Sequence, residues 1–125
     1  MSTGSPPISV QLYSVRDQAA QDFERVLRRI GDIGFVGVEF AGFHDLTPAQ
    51  YAAIVKDTGM VTSSAHLTDL SPDGFNAMLD NLEVIGCDVA VCAFMQRTPN
   101  WVRVTQHRAV QTLAKRLGPK IVVMR

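Results

Sequence analysis

Apolar positions recur along the chain with two alternating rhythms. Phe23, Val26, Leu27, Ile30 and Ile33 fall at i, i+3, i+4, i+7 and i+10, the stripe that an amphipathic helix turns towards a core. Phe75, Met78, Leu79, Leu82 and Ile85 repeat that spacing. Between them, Thr47-Pro48-Ala49-Gln50 supplies an N-cap, a proline at the first helical position and a glutamine placed for a capping box; Ser71-Pro72 opens the next helix in the same way. Gly34, Gly59 and Gly86 each follow the last apolar position, where a left-handed residue commonly ends a helix. A short, mostly apolar run follows each glycine: Gly37 to Ala41, Val61 to His66 and Val89 to Phe94. Ile8 to Ser14 is an earlier run of the same kind. Such runs read as strands buried on both faces.

Strand, loop, helix and loop repeat about every 26 residues, close to the average unit of a (β/α)8 barrel of about 250 residues. The alternation predicts an α/β chain with a parallel sheet and right-handed crossovers. Periodicity leaves open whether that sheet is open or closed. Beyond Met95 the rhythm weakens. Trp101 to Thr105 alternates like a strand, Val110, Leu113, Ala114 and Leu117 form a helical stripe, and Ile121 to Met124 reads as a fifth strand after Gly118-Pro119.

With 125 residues and 46% hydrophobic content, the chain can bury a core of its own. No apolar run reaches the ~20 residues of a membrane helix, and Met1 to Pro7 lacks the apolar segment of a secretion signal, so a cytoplasmic location is expected. Cys87 and Cys92 are separated by an odd number of positions across an expected strand. Opposite faces follow, and with them buried, reduced thiols rather than a bridge. The zero net charge is unevenly spread: all twelve acids lie at or before Asp88 with five basic residues, net −7, and the other seven basic residues follow Val89 with no acid.

In parallel α/β sheets, ligands bind beyond the carboxyl ends of the strands. Candidate positions there are Gln11, Tyr13, Ser14 and Arg16 after the first strand, Glu39 in the second, His66 ending the third, and Met95 with Gln96 after the fourth. Glu39, between Val38 and Phe40, needs a cation, a metal or several donors to offset desolvation. It either binds a sugar-like hydroxyl or supports a metal, or it forms an internal ion pair with a residue such as Arg16. His66 can donate to a hydroxyl, coordinate a metal or move a proton, or serve as a hydrogen-bonded structural residue. Tyr13 either stacks on a ligand or caps the sheet end. His44 and His107 are expected to be solvated and structural. Gly31, Gly34 and Gly37 lack the preceding strand of a dinucleotide fingerprint, and neither a CxxC pair, a GxSxG elbow nor a zinc cluster can be assembled.

Val10-Gln11-Leu12-Tyr13-Ser14-Val15-Arg16-Asp17, Gly37-Val38-Glu39-Phe40-Ala41-Gly42 and Ser64-Ala65-His66, in this order and spacing, resemble the sugar phosphate isomerase/epimerase family of xylose isomerase-like barrels. The resemblance covers Ile8 to Phe94. It implies the N-terminal half of such a barrel, residues 8–94, after a disordered 1–7 and before a basic tail, 95–125, holding a helix and a fifth strand. It further implies substrate contacts at Tyr13, Glu39 and His66, and a small sugar or polyol as partner. Full-length relatives isomerise or epimerise ketoses, inososes or related polyols with manganese, magnesium or cobalt, by proton or hydride transfer beside a carbonyl. Their metal ligands lie on later strands, so this chain alone is expected to bind no metal, to carry no catalytic residue and to be inactive, with its acid-free end the product of a truncated or frameshifted reading frame. Exposed half-barrel edges are expected to favour a homodimer. The lower-ranked reading is a half-barrel binding module whose basic tail contacts nucleic acid or another polyanion.

Overall fold

In the computed structural model, the structure describes residues 5–67, 72–92 and 121–123, with backbone alone for Pro72, Phe75, Cys92 and 121–123. The strand expected over Trp101 to Thr105, the helix over Val110 to Leu117, and the positions Ser71, Phe94, Met95, Gln96 and His107 lie outside the described residues. The elements run β1 (Ser9–Gln11), a 3-10 turn (Leu12–Val15), α1 (Arg16–Gln21), α2 (Phe23–Ile33), β2 (Gly37–Phe40), α3 (Pro48–Asp57), β3 (Val61–His66), α4 (Pro72–Ile85), β4 (Ala90–Cys92) and β5 (Ile121–Val123). The strands follow the order β1-β2-β3-β4-β5 in one sheet, and β1 with β2, β3 with β4 and β4 with β5 are parallel pairs. No described helix is long and apolar enough to cross a membrane. The chain divides into two compact units, Met1–Ser63 and Ser64–Arg125.

In the first unit, the strand expected over Ile8 to Ser14 ends at Gln11. The Ser14 hydroxyl donates to the Gln11 carbonyl and the Arg16 guanidinium to the Tyr13 carbonyl at 3.1 Å, so local side-chain bonds turn the chain into a 3-10 turn and α1. Asp22, in extended conformation, then caps α2 by accepting from the Arg25 amide at 3.0 Å. The expected stripe buries Phe23, Leu27 and Ile30, while Ile33, in the last turn, is 61% exposed. Gly31 lets α2 approach the end of α3: a Cβ there would lie 3.0 Å from Thr58 Cβ. The capping box forms as expected, with Gln50 N donating to Thr47 Oγ1 at 3.2 Å and Thr47 N to Gln50 Oε1 at 2.9 Å. Gly34 and Gly59 take the left-handed φ values, 107° and 76°, that the helix ends called for.

The core of this unit gathers around Tyr51 of α3, which is fully buried. Its ring meets Phe23 at 5.9 Å, Phe40 at 5.2 Å and Phe43 at 5.8 Å between centroids, and its hydroxyl lies 3.0 Å from Thr62 Oγ1 on β3. Each such fully buried large side chain contributes about 1.5–3 kcal/mol of transfer free energy, and the phenol avoids an unmade hydrogen bond.

In the second unit, Ala65 pairs with Ala90 and His66 with Val91, and β5 continues the ladder from Ala90↔Ile121 to Cys92↔Val123. Leu79, Leu82 and Ile85 of α4 are buried, as the stripe requires, and Gly86 ends the helix at φ 68°. Of the strand expected over Val89 to Phe94, Val89 stands outside β4 and Ala90–Cys92 form it, while 93 and 94 lie outside the described residues. Cys87 therefore precedes β4, and strand alternation does not relate it to Cys92. The Cys87 thiol is free and buried, with Sγ 3.3 Å from the Val89 carbonyl. Burial pushes its pKa up, the Val89 hydrogen bond opposes this, and the nearby Asp88 charge adds to the rise.

Candidate functional site

The carboxyl ends of β1 and β2 are brought level by register. Ser9 stands opposite Gly37, Val10 opposite Val38 and Gln11 opposite Glu39, so the Gln11 amide and the Glu39 carboxylate are cross-strand neighbours on one face. Val38 and Phe40 are buried on the other face, where Phe40 meets Tyr51 and Phe43, and Glu39 is half-buried. Alternation thus carries Glu39 away from the aromatic core that its neighbours fill. A carboxylate in that position keeps partial access to solvent, so the desolvation expected for a glutamate inside an apolar strand is only partly exacted.

Tyr13 follows β1 in the 3-10 turn. It is 58% exposed, and the Arg16 guanidinium sits 4.5 Å from its ring centroid while also holding its carbonyl. The ring is thereby fixed at its cationic side and offers its remaining surface to solvent. Beyond β2, the loop to α3 has Gly42 at φ 130° and His44 at φ 52°. A histidine tolerates the left-handed region better than most side chains. Its ring lies edge-on to Phe23, with centroids 4.8 Å apart, so the expected solvated histidine is exposed but packed.

His66 is the last residue of β3, half-exposed beside the buried Ala65. It belongs to the second unit, whereas Tyr13 and Glu39 belong to the first. Among the described residues no three His, Cys, Asp or Glu side chains converge as a metal set. A divalent ion needs several such donors at one point, so the described residues do not fit it.

No family model matches the chain, and no curated protein matches it. Solved structures do. A xylose isomerase domain containing protein from Salmonella typhimurium is similar over 98% of this chain and 50% of its own, with TM-score 0.65 and 12% identity. The chain has a partial xylose isomerase-like (β/α)8 fold. An AP endonuclease, family 2, from Brucella melitensis is similar over 81% of this chain and 48% of its own, with TM-score 0.64 and 16% identity. A sugar phosphate isomerase/epimerase from Parabacteroides distasonis is similar over 94% and 48%, with TM-score 0.56 and 20% identity. The chain spans about half the length of each of these structures. At these identities the likeness establishes the xylose isomerase-like fold. The register that sets Gln11 beside Glu39 is the feature of that fold which sequence inspection missed, because pairing between strands 28 positions apart leaves no local signal.

Proposed function

We propose that the chain is a sugar phosphate isomerase/epimerase-like protein that contacts a small sugar or polyol through Tyr13, Glu39 and His66. The observation that carries this reading is the pairing of Gln11 with Glu39 at the carboxyl ends of β1 and β2, next to the exposed ring of Tyr13. A carboxylate accepts hydrogen bonds from neighbouring hydroxyls, an amide both donates and accepts, and an aromatic face covers the C–H side of a sugar ring. The likeness to a sugar phosphate isomerase/epimerase and to a xylose isomerase domain containing protein supports the same substrate class.

In the reaction class proposed, a proton or hydride moves beside a carbonyl. The role assigned to this chain's own residues is narrower: they bind and orient the hydroxyls, without turnover by the chain alone. The test is calorimetric titration with fructose 6-phosphate and with an inosose. Saturable binding that Glu39→Gln weakens by roughly tenfold or more, with unchanged circular dichroism, supports the reading, because loss of a charged acceptor costs on the order of 1.5–3 kcal/mol. No binding of either compound at about 10 mM, where even an affinity near 1 mM would saturate, removes it. Turnover of either compound by the chain alone would contradict the binding-only role.

A second reading is supported by the likeness to an AP endonuclease and by the seven basic, acid-free positions after Val89. It makes the chain a polyanion-binding module. Its signature is DNA or RNA binding that falls steeply with salt, and no binding at low salt excludes it.

A further inference from the structure

An exposed aromatic side chain changes rotamer freely unless a neighbour holds it. Tyr13 follows β1 in the 3-10 turn and is 58% exposed. Two contacts from one side chain hold it. The Arg16 guanidinium lies over one face of the ring, with Cζ 4.5 Å from the centroid, and its Nη1 donates to the Tyr13 carbonyl at 3.1 Å. The first contact restrains the ring and the second the backbone that carries it.

The sequence allows Arg16 another partner in Glu39. It does not take it: Arg16 makes no ion pair with Glu39 or with any other described acid. Its contacts go to Tyr13 alone. The turn beneath is braced as well, because the Ser14 hydroxyl donates to the Gln11 carbonyl. The residue opposite Glu39 and the residue that carries the ring are thus joined by a turn with its own side-chain bonds. A guanidinium on one face of the ring leaves the other face for a ligand, and a ring already set in place loses less freedom when the ligand arrives.

We propose that Arg16 is a positioning residue of the ligand end: it covers one face of Tyr13 and presents the other to the bound sugar, without touching the sugar itself. The consequence for binding rests on the sugar-contact reading above; the hold on the ring does not. An exposed cation–π contact is worth a factor of about two to five, which sets the scale of the effect.

The experiment uses nuclear magnetic resonance on the full chain. The chain contains two tyrosines, Tyr13 and Tyr51, so tyrosine-selective labelling gives two sets of ring signals that Tyr13→Phe tells apart. The buried Tyr51 reports on whether the fold is intact. Without ligand, the Tyr13 ring should show contacts to the Arg16 side chain and restricted motion, both lost in Arg16→Ala while the Tyr51 signals stay in place. Titration with the inosose, which carries no charge, should show binding weakened about two- to fivefold by Arg16→Ala. In a Tyr13→Ala background the same substitution should change nothing, because a residue that acts through the ring has no effect once the ring is gone. A Tyr13 ring equally mobile with and without Arg16 overturns the proposal. So does a loss that is as large in the Tyr13→Ala background, the mark of direct contact between Arg16 and the ligand. A held ring in a chain that binds no inosose removes the sugar-contact reading and leaves Arg16 as the residue that orients Tyr13. A mobile ring in a chain that binds the inosose removes the inference and leaves the reading.

Discussion

Gly37 offers a sharp test of how closely the first three strands are packed. It is the first residue of β2, opposite Ser9 of β1. Its φ is not positive, so alanine is acceptable to the backbone and space alone decides the outcome. A Cβ at this position would lie 2.6 Å from Ser9 Oγ, 2.9 Å from the Val61 carbonyl oxygen and 3.3 Å from Val61 Cγ2. The Ser9 hydroxyl can rotate away. The Val61 carbonyl cannot, because Val61 is tied to the residue just before β2 through its amide, which donates to Val36 O at 3.1 Å. Relief therefore needs a shift between strands of several tenths of an ångström. Overpacking of this kind costs about 1–3 kcal/mol, and replacing glycine returns about 0.4–1 kcal/mol by restricting the unfolded chain. A net loss of about 1–2 kcal/mol follows for Gly37→Ala. Urea unfolding followed by circular dichroism measures it as a lowered midpoint at unchanged slope. Adding Ser9→Ala should recover only the hydroxyl's part and leave more than half of the loss. A Gly37→Ala chain as stable as wild type, or more stable, would refute the packing described for β1, β2 and β3.

Three further outcomes are expected. Thr47→Ala removes the side-chain acceptor of the α3 capping box and should cost about 1 kcal/mol in the same assay, with Thr47→Ser near neutral; equal losses for both would contradict a capping role. Tyr51→Phe keeps the buried ring but leaves Thr62 Oγ1 without its partner at 3.0 Å, and should cost on the order of 1 kcal/mol, against 3–5 kcal/mol for Tyr51→Ala, which empties the centre of the aromatic cluster. The Cys87 thiol keeps its proton in the folded chain to higher pH than in the unfolded one, whose reference value is 9.0. Above that pH the unfolded state binds fewer protons than the folded state, so stability should decline as pH rises. Cys87→Ala should remove that part of the decline, and a thiol that reacts with alkylating agents as fast as a free one would contradict its burial.

Much of the fold was legible because it is written in local signals. Gly34, Gly59 and Gly86 stop helices by adopting φ values that other residues resist, and Thr47 with Gln50 marks a helix start within four positions. The buried stripes of α2 and α4 follow from period alone. What escaped has causes that period does not encode. Ile8 to Ser14 looks strand-like by composition, yet past Gln11 the Ser14 hydroxyl and Arg16 bond carbonyls three residues back and wind Leu12–Val15 into a turn. Ile33 belongs to the α2 stripe but stays exposed in the last turn of the helix. Of the candidate site, the residue types at strand ends were readable, because Glu39 stands out between Val38 and Phe40. The partnership of Glu39 with Gln11 was not, since it depends on the relative sliding of two strands, nor was the contact of the His44 ring with Phe23, which joins residues far apart in sequence.

The central claim is that the carboxyl ends of the strands form the ligand end of this xylose isomerase-like fold. Backbone amide chemical-shift mapping during titration with fructose 6-phosphate tests it most directly. The account predicts saturable shifts concentrated at Gln11 to Arg16, at Glu39 to His44 and at His66, which Glu39→Gln suppresses. Shifts concentrated instead at Ile8, Val36 and Val61, at the opposite ends of β1, β2 and β3, would contradict it.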